Sequence, residues 1–98
     1  MFTGTMRFDL LLGDVRSLKQ KRSIVRPIVA ELQHRFAVAV AETDYLDLHR
    51  RAEIGVAVVA ADASHCLHVL DRCEGFVAER PEIELLQTKR MLRNEEDE

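Results

Sequence analysis

Six cations, Arg16, Lys19, Lys21, Arg22, Arg26 and Arg35, fall in a stretch that holds one acid, Glu31. That stretch is net +5, the rest of the chain sums to -8, and the whole is -3. Charge is therefore segregated along the chain, which points to an anionic partner for one part of it. A helix N-terminus already presents unpaired N–H groups and partial positive charge. Cations placed there work against the local helix by about a few tenths of a kcal/mol each and favour an incoming anion. On a helix, Lys19, Arg22 and Arg26 stand at i, i+3 and i+7 on one face, where they can meet phosphates along a backbone or a rigid anion. Ser17 is the N-cap, and the loop Gly13 to Arg16 before it could complete a backbone anion nest. The candidate anion- or nucleic-acid-binding set is thus Arg16, Ser17, Lys19, Lys21, Arg22 and Arg26. Whether Glu42 answers Lys21 or Arg22 in an internal ion pair is open at this level, and it decides how much of the set is structural.

Two other groupings contain chemistry-bearing residues. Glu42, Asp44, Asp47 and His49 gather three carboxylates and an imidazole between two strands, as a hard metal or a general base would require. Their spacing matches no ligand pattern, and connecting loops are polar by default. His65 and His68 stand at i and i+3 with Cys66 between them, but Cys66 belongs to an apolar stripe that the histidines only flank. No metal site, cofactor motif or catalytic residue is expected, and the chain reads as a non-enzyme. Cys66 and Cys73, seven apart on one helix, have Cα atoms about 10 Å apart, too far for a disulfide. Reduced core thiols fit a cytoplasmic protein. The longest apolar run, Ile54 to Ala61, is far short of the roughly 20 residues that cross a bilayer.

The elements that must position these residues follow from hydrophobic period. Phe2 to Leu12 alternates, with Phe2, Met6, Phe8, Leu10 and Leu12 on one side. Leu18, Val25, Ile28, Val29, Leu32 and Phe36 recur at helical spacing after Ser17, with Pro27 inside the span as a kink or a break. Ala37 to Glu42 and Arg51 to Ala60 read as strands, Ala63 to Ala78 as a helix capped by Asp62 or Ser64, and Glu82 to Leu92 as a last strand. Residues 1–93 make one domain and 94–98 an acidic tail with nothing to bury.

The order strand, helix, strand, strand, helix, strand is a split βαβ pattern, an α+β ferredoxin-like sandwich with a four-stranded antiparallel sheet and two helices on one face. The other face is left open. Alternation lines it with Thr3, Thr5, Arg7, Asp9, Ala37, Ala39, Ala41, Glu53, Gly55 and Ala57. A water-facing strand normally carries longer polar side chains, so Thr5, Arg7, Ala39, Ala41, Gly55 and Ala57 are the candidate surface of a homodimer.

The segments Ser17-Leu18-Lys19-Gln20-Lys21-Arg22-Ser23, Val38-Ala39-Val40-Ala41-Glu42 and Arg51-Ala52-Glu53-Ile54-Gly55-Val56-Ala57-Val58 resemble the YlxP-like family, domain of unknown function 503, small bacterial proteins. The resemblance runs nearly end to end. It implies a ferredoxin-like fold and supplies no activity, substrate or catalytic residue. Members tend to be encoded beside genes for translation initiation and ribosome maturation, so it also implies a role near the ribosome. Two enzyme and binding analogies fail on residues: an acylphosphatase needs a strand asparagine, and the only one here is Asn94. An RNA-recognition sheet needs exposed aromatics on its open face, where this sheet has Thr, Arg, Ala and Gly. The sequence thus supports a non-catalytic module that contacts structured RNA or the ribosome through its first helix. A homodimeric domain that senses a small anion is the second expectation.

Overall fold

The computed structural model describes residues 1–96. β1 (Phe2–Leu12) obeys its alternation, with Met6, Phe8, Leu10 and Leu12 buried and Thr5 and Arg7 exposed. It is followed by α1 (Leu18–Phe36), β2 (Ala39–Asp44), β3 (Arg51–Ala60), α2 (Ala63–Ala78) and β4 (Ile83–Asn94). All pairings are antiparallel and the sheet order is β2-β3-β1-β4, so the fold is the expected ferredoxin-like sandwich. Val25, Ile28 and Leu32 from α1 and Cys66, Leu70, Cys73 and Val77 from α2 join the inward residues of the strands in a single core.

Both helices begin on side-chain caps. Ser17 Oγ accepts the Gln20 N–H at 3.0 Å, which satisfies one of the free donors at the start of α1, and Gln20 Oε1 reaches back to accept the Arg16 N–H at 2.9 Å, just before the cap. Asp62 Oδ1 accepts the His65 N–H at 2.8 Å and the Ser64 hydroxyl at 2.9 Å. Those two bonds, the backbone one foremost, hold the Asp62 carboxyl below its ordinary value. Pro27 interrupts nothing: α1 is one continuous helix, and the hydrogen bond that Pro27 cannot donate falls on its exposed side.

Two boundaries differ from the sequence reading. Ala37, expected on the open sheet face, is the C-cap of α1 at φ 53°, so β2 starts two residues later. Its left-handed backbone turns the chain from helix to strand, a task usually given to glycine, and no glycine announced it. At the other end, β4 runs on to Asn94. Glu95 and Met1 then exchange two main-chain bonds, with Glu95 N–H on the Met1 carbonyl at 2.7 Å and the Met1 ammonium on the Glu95 carbonyl at 3.1 Å. Asn94, the first residue of the expected tail, therefore belongs to the sheet and Glu95 is tied down beside it; 97 and 98 lie outside the described residues. In α2, Leu67 is half-buried and Phe76 is buried, edge-on to Phe36 at 5.8 Å between centroids.

Cys66 and Cys73 are free and fully buried, and burial pushes the Cys73 thiol up to about 11. Neither thiol should be alkylated by iodoacetamide at mildly alkaline pH until the protein is unfolded. Cys73→Ser should cost about 1–3 kcal/mol by chemical denaturation, since it puts a hydroxyl in an apolar stripe, and Cys66→Ser less, because the Phe2 carbonyl that accepts from Cys66 Sγ at 3.6 Å can accept from the hydroxyl.

Candidate functional site

The basic residues of the first helix separate into two populations. Lys21 is 2% exposed. It occupies the apolar stripe itself, one turn before Val25 in the row Lys21, Val25, Ile28, Leu32. Its ammonium donates to the Tyr45 carbonyl at 2.6 Å and lies 2.9 Å from Glu42 Oε2. Glu42 meets the ammonium as an ion pair outside hydrogen-bond geometry, and the Tyr45 carbonyl takes one of its three N–H donors. Lys21, expected as an anion-binding residue, is thus withdrawn from the surface. The signal that could have placed it is its position in the stripe, hidden by the cations on either side.

What Lys21 holds is a strained corner. Tyr45 has φ 60°, a left-handed conformation that a bulky residue adopts only when its surroundings fix it. Its N–H donates to Asp44 Oδ1 at 2.7 Å, its carbonyl accepts from Lys21 and from the Leu48 N–H, and its ring lies under the Arg51 guanidinium at 4.7 Å. Arg51 in turn grips Asp9 at 2.7 and 2.8 Å, and that bond foremost raises its already high pKa. Glu42 to Tyr45 are accordingly spent on structure, while Asp47 and His49 are exposed. Glu42 faces Lys21, and Thr43 donates to Glu53 Oε2 at 2.7 Å. No group of three His, Cys, Asp or Glu with metal-binding geometry occurs among the described residues, at this loop or at His65 and His68.

Lys19, Arg22 and Arg26 form the second population. All three are exposed and, with Ser23 and Pro27, line a shallow groove of about 380 Å³. None makes an ion pair among the described residues. Elsewhere cations are engaged: Arg7 with Glu53, Arg35 with Glu31, Arg51 with Asp9, Arg90 with Asp71 and Glu74, and Arg93 with Glu95. Arg50 binds the Leu12 and Gly13 carbonyls, while Arg72 and Arg80 stack on Phe36 and Phe76. Lys89, on β4, is the one further cation without such a partner among the described residues. Arg16 pairs with Asp14 at 3.2 Å, both highly exposed, an arrangement that contributes little and exchanges readily. In the expected nest from Gly13 to Arg16, the Val15 N–H already donates to the Gly13 carbonyl and the Arg16 N–H to Gln20 Oε1, both at 2.9 Å. Ser17 serves as the cap.

Residues 3–90 match the family described as a protein of unknown function, DUF503. The chain belongs to that family. A Bacillus subtilis (strain 168) relative of the DUF503 chain, "Uncharacterized protein YlxP", is 30% identical over 86 residues, spanning 88% of this chain and 94% of its own. Among solved structures, a de novo designed protein with a ferredoxin fold superposes with TM-score 0.51 at 15% identity, covering 97% of the DUF503 chain and 88% of the design. SnoaB, a cofactor-independent oxygenase from Streptomyces nogalater, gives TM-score 0.48 at 11% identity over 98% and 95% of the two chains. The design bears out the fold. No helix among the described residues is long and apolar enough to cross a membrane.

Lys21→Met should destabilise the DUF503 fold by about 2–3 kcal/mol, below the ~3–5 typical of a fully buried pair because Glu42 keeps some contact with water. Adding Glu42→Leu should recover part of that loss. Urea denaturation of the two variants checks both, and a Lys21→Met protein as stable as wild type would contradict the assigned role.

Proposed function

We propose that this DUF503 protein is a non-catalytic module that contacts structured RNA or a ribosomal surface through Lys19, Arg22 and Arg26 on the exposed face of α1. The observation that carries the reading is the absence of ion-pair partners for these three among the described residues, on a chain that holds most other cations in ion pairs, carbonyl contacts or aromatic stacks. An acidic protein that leaves three adjacent cations unpaired keeps a local positive field that its net charge conceals. Their positions along a helix span about 10 Å, enough for more than one phosphate of a strand. Arg16 joins when Asp14 releases it. Lys21 contributes only by anchoring the helix.

The side-chain hydroxyls that meet carboxylates favour the non-catalytic reading. Thr43 with Glu53 braces a strand irregularity and Ser64 with Asp62 caps a helix, so neither is free to act as a nucleophile with its base. The thiols are buried. The sheet face carries no aromatic on which a base could stack, so RNA contact is by backbone phosphate and shape. On this reading the protein works in the cytoplasm, with the ribosome.

The test is Lys19→Glu combined with Arg22→Glu. Acids near a helix start are locally favourable, so the melting temperature should hold or rise slightly. Cosedimentation with ribosomal particles, and retention on a structured RNA, should be lost. In wild type the logarithm of affinity should fall linearly with the logarithm of salt with a slope of about -2 to -3 for three phosphate contacts, and each charge removed should lessen it by nearly one. Equal retention of wild type and double variant across the salt series would eliminate the reading.

A further inference from the structure

The sheet face opposite the helices is uncovered, and its relief is graded from one edge to the other. Register sets Ala39, Ala57, Thr5 and Met91 in one cross-strand row and Ala41, Gly55, Arg7 and Lys89 in the next. The β2–β3 half of both rows is alanine and glycine, while the β1–β4 half is tall, with Met91 58% exposed. A depression of about 740 Å³ lies over these rows. Its floor is kept low at Gly55, where a Cβ would come within 2.9 Å of Thr43 Cγ2.

We propose that this face packs on the same face of a second copy of the chain, about a twofold axis parallel to the strands. Because the strand order is β2-β3-β1-β4, that axis lays the β4 of each copy over the β2 of the other and β1 over β3, row for row. Met91 then enters the hollow at Ala39 and Ala57, and Arg7 and Lys89 cover Gly55 and Ala41. A twofold axis across the strands sets β4 on β4 instead, tall against tall, and leaves both hollows empty. Charge selects the same arrangement. Lys89 has no ion pair among the described residues, and it stands one row from Asp44 of the partner subunit, a carboxylate whose hydrogen bond is to the Tyr45 N–H.

The dimensions fit a sheet better than a smaller ligand. Four strands about 4.8 Å apart and four rows about 6.8 Å apart give a face of roughly 500 Å². Two such faces remove about 1,000 Å² before side-chain relief is counted, the lower bound for a specific interface. A helix about 10 Å across covers only half that width. Since α1 is on the other side of the sheet, a dimer presents its two basic faces outward, and the two surfaces can be tested separately.

Sedimentation equilibrium of the full chain should give a wild-type mass near twice 11.2 kDa. Ala41→Arg, at an exposed position, should return the mass to that of a monomer with unchanged circular dichroism and the melting temperature of wild type diluted below its dissociation constant. Lys89→Asp should raise the dimer dissociation constant about tenfold, the effect of losing roughly 1.4 kcal/mol, and adding Asp44→Lys should restore it. Lys19→Glu with Arg22→Glu should leave the mass untouched. A wild type that stays monomeric at every concentration would overturn the proposal, as would a dimer that survives Ala41→Arg, because its contact would then lie elsewhere, for example along the β4 edge.

Discussion

A lysine ammonium, 2% exposed, between a carboxylate and a main-chain carbonyl is the constraint on which the rest depends. Taking such a charge out of water costs several kcal/mol, and it is tolerated only where partners are fixed in place. Glu42 and the Tyr45 carbonyl are those partners, and each belongs to a segment that would otherwise be loosely held. β2 is an edge strand with β3 as its only sheet neighbour among the described residues. The corner after it carries a left-handed tyrosine. By tying both to the first turn of α1, Lys21 fixes the helix start relative to the sheet edge, and with it the direction in which Lys19, Arg22 and Arg26 point. A cation inside the protein thereby orients the cations outside it.

The basic stretch consequently contains two kinds of residue that composition cannot separate. Lys21 and Arg22 are neighbours of the same charge, yet a helix turns about 100° between them, which carries one into the core and the other into water. The row Lys21, Val25, Ile28, Leu32 was readable in the sequence as a helical stripe with one charged member. It was obscured because long cationic side chains are rarely fully buried and because local charge density invited a surface reading. Glu42, on the inward face of β2, was the matching clue, since an acid at an inward strand position calls for a buried counter-charge.

Most of the architecture was legible, and the misses have two causes. β3 and α2 have the boundaries that their patterns indicated, Arg51–Ala60 and Ala63–Ala78, because β-branched alternation and an Asp cap are local signals. Ala37 was misplaced because a left-handed cap on alanine leaves no trace in residue type. Asn94 and Glu95 were misplaced because their order comes from main-chain bonds to Phe2 and Met1 across the whole length of the chain. The Tyr45 corner was invisible for the same reason: Lys21, Asp44 and Arg51 meet it only once the fold is formed. Local chemistry is written in the sequence, whereas long-range main-chain satisfaction must be seen.

The chain has three lysines, Lys19, Lys21 and Lys89, and each stands in a different environment, so they report on the division directly. Residue-resolved acylation of the native protein, read by mass spectrometry with and without a structured RNA at low salt, measures all three in one experiment. Lys21 should stay unmodified until the protein is denatured. Lys19 should be modified readily and become protected when RNA is added, while protection of Lys89 should not depend on RNA. Modification of Lys21 in the folded protein at a rate close to that of Lys19 would contradict the account, because the helix start would then have no buried anchor and the basic stretch would be a single surface cluster.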